Sequence, residues 1–384
     1  MIKKKTVCYW SPFISNVATI KAVINSALSI NRYSNQKYEA LIIDAFGEWR
    51  TNTSNEIHNL KFHNLNYISK LFKFSSEGFI KSRLKYIIIF SLSFVSLKKF
   101  LIKVNPEFLI IHLITSLPLL LNLIYKFDTK IILRISGKPQ MNILRYIFWK
   151  IALKKVYKIT FPTTESLEYL KNLNLVDENK LELLYDPVFI IKDISKKKQE
   201  PIKGFDLKKN NYFLAIGRLT MQKNFIFLIK CFCKLVKDHP DIKLIIIGTG
   251  EEKAKIDRFI SDNNLEHNII LLGYQKNVFK FLKNCKAFIL SSLWEDPGFV
   301  LIEAMVSDCF VLSSNCPNGP KEILEKNNGL LFQSNSETDF INKFNDFINL
   351  SNSEKKILKI NAKKKIKNYS IFHHYQQLKK LLIN

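Results

Sequence analysis

Two carboxylates, Glu295 and Glu303, flank a proline–glycine turn in the run Glu295-Asp296-Pro297-Gly298-Phe299-Val300-Leu301-Ile302-Glu303. A carboxylate accepts paired hydrogen bonds from neighbouring hydroxyls, so one such acid can hold a ribose and the other a hexose. Pro297 and Gly298 make the turn, and the apolar residues from Phe299 and Val300 onward open a helix. Glu295 then sits in the loop and Glu303 about one turn inside the helix, with free backbone N–H groups of the helix start facing an incoming anion. A second group stands upstream: Gly217-Arg218-Leu219, then Gln222-Lys223-Asn224, after an apolar strand and before a helical stripe. Gly217 allows a sharp turn. Arg218 and Lys223 can converge on one anionic group at a helix start, and a diphosphate matches best. Two acids near a diphosphate are costly unless the ligand brings hydroxyls to them, as a nucleotide sugar does. Gly248-Thr249-Gly250 after Leu244–Ile247 begins like a dinucleotide fingerprint, but position 253 is Lys, so the turn is weak evidence alone. The loop Ser313-Ser314-Asn315-Cys316-Pro317-Asn318-Gly319-Pro320 is rigid and is expected to line the same site. Each stretch by itself also reads as a solvated cation pair or an ordinary turn; the combination is what points to a nucleotide-sugar site.

The elements that must position these residues alternate. In the first half, strands are expected at Thr6–Tyr9, Tyr38–Ile43, Phe108–His112, Ile131–Ile135 and Lys158–Phe161, with a helical stripe Val17, Ile20, Val23, Ile24, Ala27, Leu28 between the first two. Alternation restarts with strands at Tyr212–Ile216, Leu244–Ile247, Ile269–Leu272, Ala287–Leu290 and Phe310–Leu312. Between the halves lies a Lys-rich stretch with Pro187, Pro201 and Gly204, expected as a linker. Alternating strands and helices imply parallel sheets covered on both faces, with ligands at the carboxyl ends of the strands. The 384 residues suit two domains, and 47% hydrophobic residues suit a sizeable core. Six cysteines lack CxxC or zinc-ligand spacing and read as small buried hydrophobes.

Taken together, GRL…QKN, the GTG turn, E-x7-E and CPNGPKEI resemble the donor domain of a retaining family-4 glycosyltransferase (glycosyltransferase group 1), closely over 210–335 and more loosely before it. The resemblance implies an α/β protein of GT-B fold, two Rossmann-like doubly wound domains facing a cleft. The expected ranges are an acceptor-side domain at 1–190, joined by a C-terminal helix at about 369–384, a linker at 191–210 and a donor-binding domain at 211–368. It further implies that Arg218 and Lys223 neutralise the leaving diphosphate, that Glu303 binds ribose, that Glu295 binds the transferred sugar, and that the loop at Gly273-Tyr274 meets the base. Gly217, Gly248, Gly250, Pro297, Gly298, Phe299 and Val300 complete the donor site. The donor is a nucleotide sugar, UDP-linked by family frequency, with no metal and no further cofactor; the sequence has no DxD pair in the place a metal would require. On the acceptor side stand Ala18 and Thr19, in the segment Ser11–Thr19 where relatives often carry a glycine-rich turn that is absent here, and His112, Arg134 and Ser136 at two strand ends.

The formal net charge is +26. Residues 79–104 (with Lys81, Arg83, Lys85, Lys98, Lys99 and Lys103) and 129–164 carry Lys and Arg among aromatics and no acid. Such surfaces suit an anionic membrane and a lipid-linked glycan acceptor in surface-polysaccharide synthesis. With no signal peptide and no apolar run of spanning length, the expected place is cytoplasmic and peripheral at the inner membrane face. The rival readings are a sugar-nucleotide epimerase of the same architecture and a basic nucleic-acid-binding protein; the latter lacks helix-turn-helix, RNP and zinc patterns, so no nucleic-acid partner is expected.

Overall fold

The computed structural model describes residues 4–14, 18–51, 59–66, 79–202, 211–325 and 327–383. They form two compact units, one of residues 1–188 with 371–384 and the other of 189–370.

Unit 1 holds a parallel sheet of β1 (Lys5–Trp10), β2 (Tyr38–Asp44), β3 (Lys61–Asn64), β4 (Phe108–Ile111), β5 (Lys130–Arg134), β6 (Lys158–Phe161) and β7 (Leu181–Leu183), in the order β3-β2-β1-β4-β5-β6-β7. The central strands are continuous apolar runs because helices cover both faces. Phe108-Leu109-Ile110-Ile111 is buried at every position. Helix Ala18–Tyr33 and helix Ile371–Ile383 lie against each other through Tyr33, Phe372 and Tyr375. The Tyr38 hydroxyl donates to Leu382 O at 2.6 Å.

Unit 2 holds a second parallel sheet of β8 (Phe213–Ile216), β9 (Leu244–Ile247), β10 (Ile269–Gly273), β11 (Ala287–Leu290), β12 (Val311–Ser314) and β13 (Leu330–Phe332), in the order β10-β9-β8-β11-β12-β13. Its core is rich in phenylalanine. Phe213 packs on Phe232 of helix Phe225–Asp238 and on Phe344 and Phe347 of helix Glu337–Asn349. In both sheets the order reverses beside a central strand, between β1 and β4 and between β8 and β11. Loops diverge there, which opens a crevice at the strands' carboxyl ends.

The expected strands form within a residue or two at each end. Three further strands, β3, β7 and β13, were not expected from the sequence. The stretch 191–210 is not a linker throughout. It opens as helix Ile191–Lys197, with Ile194 buried and Lys197 O accepting from Asn277 Nδ2 at 2.8 Å; 203–210, with Gly204, lies outside the described residues. Among the described residues no helix is long and apolar enough to cross a membrane.

A buried polar network crosses unit 1. Tyr9 and Ser26 share a hydrogen bond of 2.8 Å, Ser26 meets His374 Nε2 at 2.8 Å, and His374 Nδ1 lies 2.8 Å from Tyr185 O. Burial holds His374 down at about 4, against the pull of the Tyr185 carbonyl and Asp186 and with the push of Arg134 and His373. Burial, then Arg134 and His374, also hold His112 well below the usual imidazole range. Unfolded, each ring takes a proton near pH 6.5. Between that value and about 4 the unfolded chain binds more protons, so His374's contribution is whole above about pH 6.5 and is lost toward pH 4, at about 1.4 kcal/mol per pH unit. Glu48, pushed up by burial and then by its hydrogen bond to Asp44, has the opposite sign. His374→Gln should therefore flatten the acid limb of the denaturation midpoint against pH; an unchanged limb would remove His374 from the linkage.

Candidate active site

Four loops leave the carboxyl ends of β9, β8, β11 and β12, neighbours in the sheet. After β8, Gly217-Arg218-Leu219 leads into a 3-10 turn, Met221–Lys223. Lys223 folds back over Gly217, where a Cβ would stand 3.0 Å from Lys223 Cγ. Its ammonium reaches across to the loop after β11, with Nζ 2.5 Å from Glu295 Oε1. The side chains are 14% and 6% exposed, so the pair sits largely out of water. Ser292 Oγ donates to the same Oε1. Oε2 has no hydrogen-bond partner among the described residues. Three more bonds lash the turn to this loop: Ser291 Oγ to Lys223 O at 2.7 Å, Leu293 N to Gln222 O at 2.8 Å, and Gln222 Nε2 to Trp294 O at 2.9 Å.

The outer loops close on the inner ones through backbone. A Cβ at Gly248 would lie 1.8 Å from Gly217 O, and φ there is +152°. Leu219 N donates to Thr249 O at 2.9 Å, and a Cβ at Gly250 would lie 2.3 Å from Leu219 O. On the other side a Cβ at Gly319 would lie 1.9 Å from Pro297 O, with φ +135°. Glu295 N donates to Pro317 O at 3.1 Å. Only glycine lets main chains approach so closely. The GTG turn is thus explained by contact with the GRL loop.

Asp296-Pro297 is a cis bond, and Gly298, at φ +97°, caps helix Phe299–Val306. Phe299 is buried and Val300 half-buried. Glu303, the fifth residue of this helix, is half-buried. Arg218 is exposed and has no acidic partner among the described residues. Tyr274 is 73% exposed; Gly273, just before it, accepts from Gly248 N at 2.9 Å. The structure thus gathers Gly217, Lys223, Gly248, Gly250, Glu295, Pro297 and Gly298 around one strand-end crevice of unit 2. Sequence reading missed Ser292 and the packing duty of Gly319; the serine pair directly ahead of the acidic loop was the available signal for the first.

The expected acceptor-side residues lie in unit 1. Ala18 and Thr19 begin helix Ala18–Tyr33; Ser15–Val17 lie outside the described residues. His112 follows β4, and its Nδ1 is buried without a hydrogen-bond partner. Arg134, at the end of β5, is not an open cation. It is buried in a two-pronged pair with Asp186, with Nε 2.7 Å from Oδ1, and also donates to Ser136 Oγ. Asp186, distant in sequence, gave no signal beforehand. His112, Arg134 and Ser136 line one cavity of about 600 Å³.

The family model "Glycosyl transferases group 1" matches residues 196–365. An uncharacterized glycosyltransferase of Methanocaldococcus jannaschii is 37% identical over 218 residues, 54% of this chain and 53% of that protein. The N-acetylgalactosamine-N,N'-diacetylbacillosaminyl-diphospho-undecaprenol 4-alpha-N-acetylgalactosaminyltransferase of Campylobacter jejuni is 26% identical over 218 residues, 54% of this chain and 58% of that enzyme. The chain therefore spans little more than half the length of these curated relatives. Among solved structures, a glycosyltransferase from Rickettsia africae superposes with a TM-score of 0.74 at 15% identity, covering 99% of each chain. An Anabaena protein solved with UDP and glucose superposes with a TM-score of 0.71 at 16% identity, again over 99% of each. These likenesses establish the shared fold.

The backbone contacts give a graded prediction. Gly248→Ala and Gly319→Ala must relieve both a clash and an unfavourable φ, so each should cost about 2–5 kcal/mol of stability. Gly273→Ala, with φ +65° but open space around it, should cost only about 1 kcal/mol. Chemical denaturation of the three variants checks the ranking; equal losses would mean that the loops do not close as described.

Proposed function

We propose that this chain, a group 1 glycosyltransferase of GT-B fold whose family domain lies at 196–365, moves a hexose or N-acetylhexosamine from a nucleoside-diphosphate sugar to a lipid-linked glycan, with retention at the anomeric carbon. The observation that carries the reading is the buried Lys223–Glu295 pair at the sheet's reversal point, beside Arg218 and the start of helix Phe299–Val306.

The chemistry asks for stabilisation of a departing diphosphate while the sugar takes on oxocarbenium character. Lys223 has three N–H donors, so it can hold Glu295 and a phosphate oxygen together. Arg218 adds a planar, always-charged donor fork. The two cations and the helix start supply this charge without a metal. Glu295 Oε2 can accept from a sugar hydroxyl, and Glu303 from the ribose. Gly273-Tyr274 would meet the base, for which uracil is favoured because the Anabaena protein of this fold was solved with UDP.

The acceptor reading is supported by the Campylobacter relative, whose name places diphospho-undecaprenol on its acceptor. His112 and Ser136, at strand ends of unit 1, are the acceptor-side groups. The basic, aromatic-bearing helices of unit 1 favour work at the inner face of the cytoplasmic membrane, on an O-antigen, capsule or lipopolysaccharide unit.

A panel of nucleotide sugars should raise the melting temperature for its true donor, since ligand binding to the native state stabilises it. Glu303→Ala should weaken donor affinity about tenfold or more, by loss of hydrogen bonds to a charged acceptor. Glu295→Gln should lower kcat about a hundredfold with a smaller change in nucleotide affinity. Wild-type turnover in both variants would sink the assignment.

A further inference from the structure

The cavity of unit 1 carries more than an acceptor sugar needs. It has about 600 Å³, within the range of small-ligand sites. No Asp or Glu is among its lining residues. Of its cations, Arg134 is already neutralised by Asp186. Arg145 is exposed, donates to Gln140 O at 2.6 Å, and has no acidic partner among the described residues. The cavity's uncompensated charge is therefore positive, which favours a ligand that carries an anion.

Its walls are apolar and aromatic, with Tyr86, Phe90, Phe148 and Trp149 among them. A small free anion would gain nothing from such walls, and a neutral hydrocarbon would gain nothing from Arg145. Apolar surface also runs outward from the cavity. On helix Ile143–Ala152, Ile143 is 78% and Leu144 80% exposed, and Ile147 and Ile151 continue the stripe one turn and two turns on. On helix Phe79–Val104, Ile87 lines the cavity and is 61% exposed, and Leu84 is exposed beside it. Single exposed apolar residues are ordinary, but a continuous stripe leading from a cavity marks a binding surface.

We propose that this cavity and stripe form a site for a long-chain lipid phosphate of isoprenoid type. The phosphate meets Arg145; the chain lies on Tyr86, Phe90 and Phe148 and leaves along Ile143, Leu144 and Ile147 into the bilayer. The proposal rests on the lipid-linked acceptor reading above and gives that acceptor's anchor its own subsite, within unit 1.

The test is titration calorimetry of the full chain with farnesyl phosphate, farnesol and inorganic phosphate, beside thermal stabilisation by nucleotide sugars. Farnesyl phosphate should bind at least about tenfold more tightly than farnesol, and inorganic phosphate should give no saturable heat at the same concentration. Arg145→Ala should lower farnesyl phosphate affinity about tenfold while nucleotide-sugar stabilisation stays as in the parent chain. Equal affinity for farnesol and its phosphate, equal affinity for inorganic phosphate, or an unaltered Arg145→Ala variant would overturn the subsite. Absence of any nucleotide-sugar stabilisation, with farnesyl phosphate bound as expected, would instead overturn the transferase reading and leave the lipid-phosphate site standing.

Discussion

The crevice of unit 2 depends on one buried ion pair. Removing an ammonium and a carboxylate from water costs several kcal/mol for each ion, and mutual attraction offsets this only where geometry and extra hydrogen bonds are good. Lys223 and Glu295 meet that condition: the lysine stem lies over Gly217, the contact is 2.5 Å, and Ser292 donates to the same oxygen. The pair joins loops from β8 and β11, parallel neighbours whose connections diverge at the reversal of strand order. Beyond the sheet, among the described residues, a single main-chain bond, Leu293 N to Gln222 O, joins these loops, and side chains supply the other contacts. Once they are fixed, Gly248 and Gly319 let the loops of β9 and β12 press against them main chain to main chain. Four loops thereby become one rigid wall, which is what positioning chemistry requires.

The same pair resolves an electrostatic conflict in the proposed chemistry. Two carboxylates beside a diphosphate would repel it, and the cost grows as water is excluded. Glu295 comes with its charge balanced by Lys223, while one oxygen keeps its capacity to accept. Arg218, exposed and without an acidic partner among the described residues, remains available for the phosphates. The division suits the residue types: a compact ammonium can bridge two anions, while a guanidinium makes a directed fork.

Much of this was legible in the sequence, for physical reasons. Strands buried on both faces must be continuous apolar runs, so Leu244–Ile247 and Ala287–Leu290 could be placed to the residue. Edge strands carry no such constraint. β3 reads Lys-Phe-His-Asn and β7 Leu-Glu-Leu, polar where they meet water, and neither stands out. Lys223 and Glu295 stood out in the sequence because both are charged residues in loops that follow apolar strands, and the fold sets them in contact. The wiring around them did not, because Ser292 is one serine among many until the fold sets it against Glu295. The GTG turn has a second reason for its glycines that only the fold shows: a neighbouring main chain passes against Gly248 and Gly250. The pairing of Arg134 was not legible because its partner Asp186 is far along the chain and in no pattern with it.

Unit 1 meets the problem of buried polar groups differently, and its solution constrains how the chain can fold. Beside its own buried pair, Arg134–Asp186, it carries a network of neutral groups, Tyr9, Ser26 and His374. His374 belongs to helix Ile371–Ile383, which follows all of unit 2. Without that helix, the hydrogen bonds of His374 to Ser26 and to the Tyr185 carbonyl are both lost, and a typical intramolecular hydrogen bond contributes about 0.5–1.5 kcal/mol. The apolar faces of helices Ala18–Tyr33 and Ile371–Ile383 would also lose each other. Residues 1–188 therefore cannot reach their full stability before 189–370 have been traversed, although they contain every strand of their own sheet. Closing so long a loop adds little entropy for each doubling of its length. The cost falls on rate instead, because contacts this distant in sequence form late. Unit 2, whose segments run without interruption from 189 to 370, has no such dependence, and the wall that carries Lys223 and Glu295 can form from its own contacts alone.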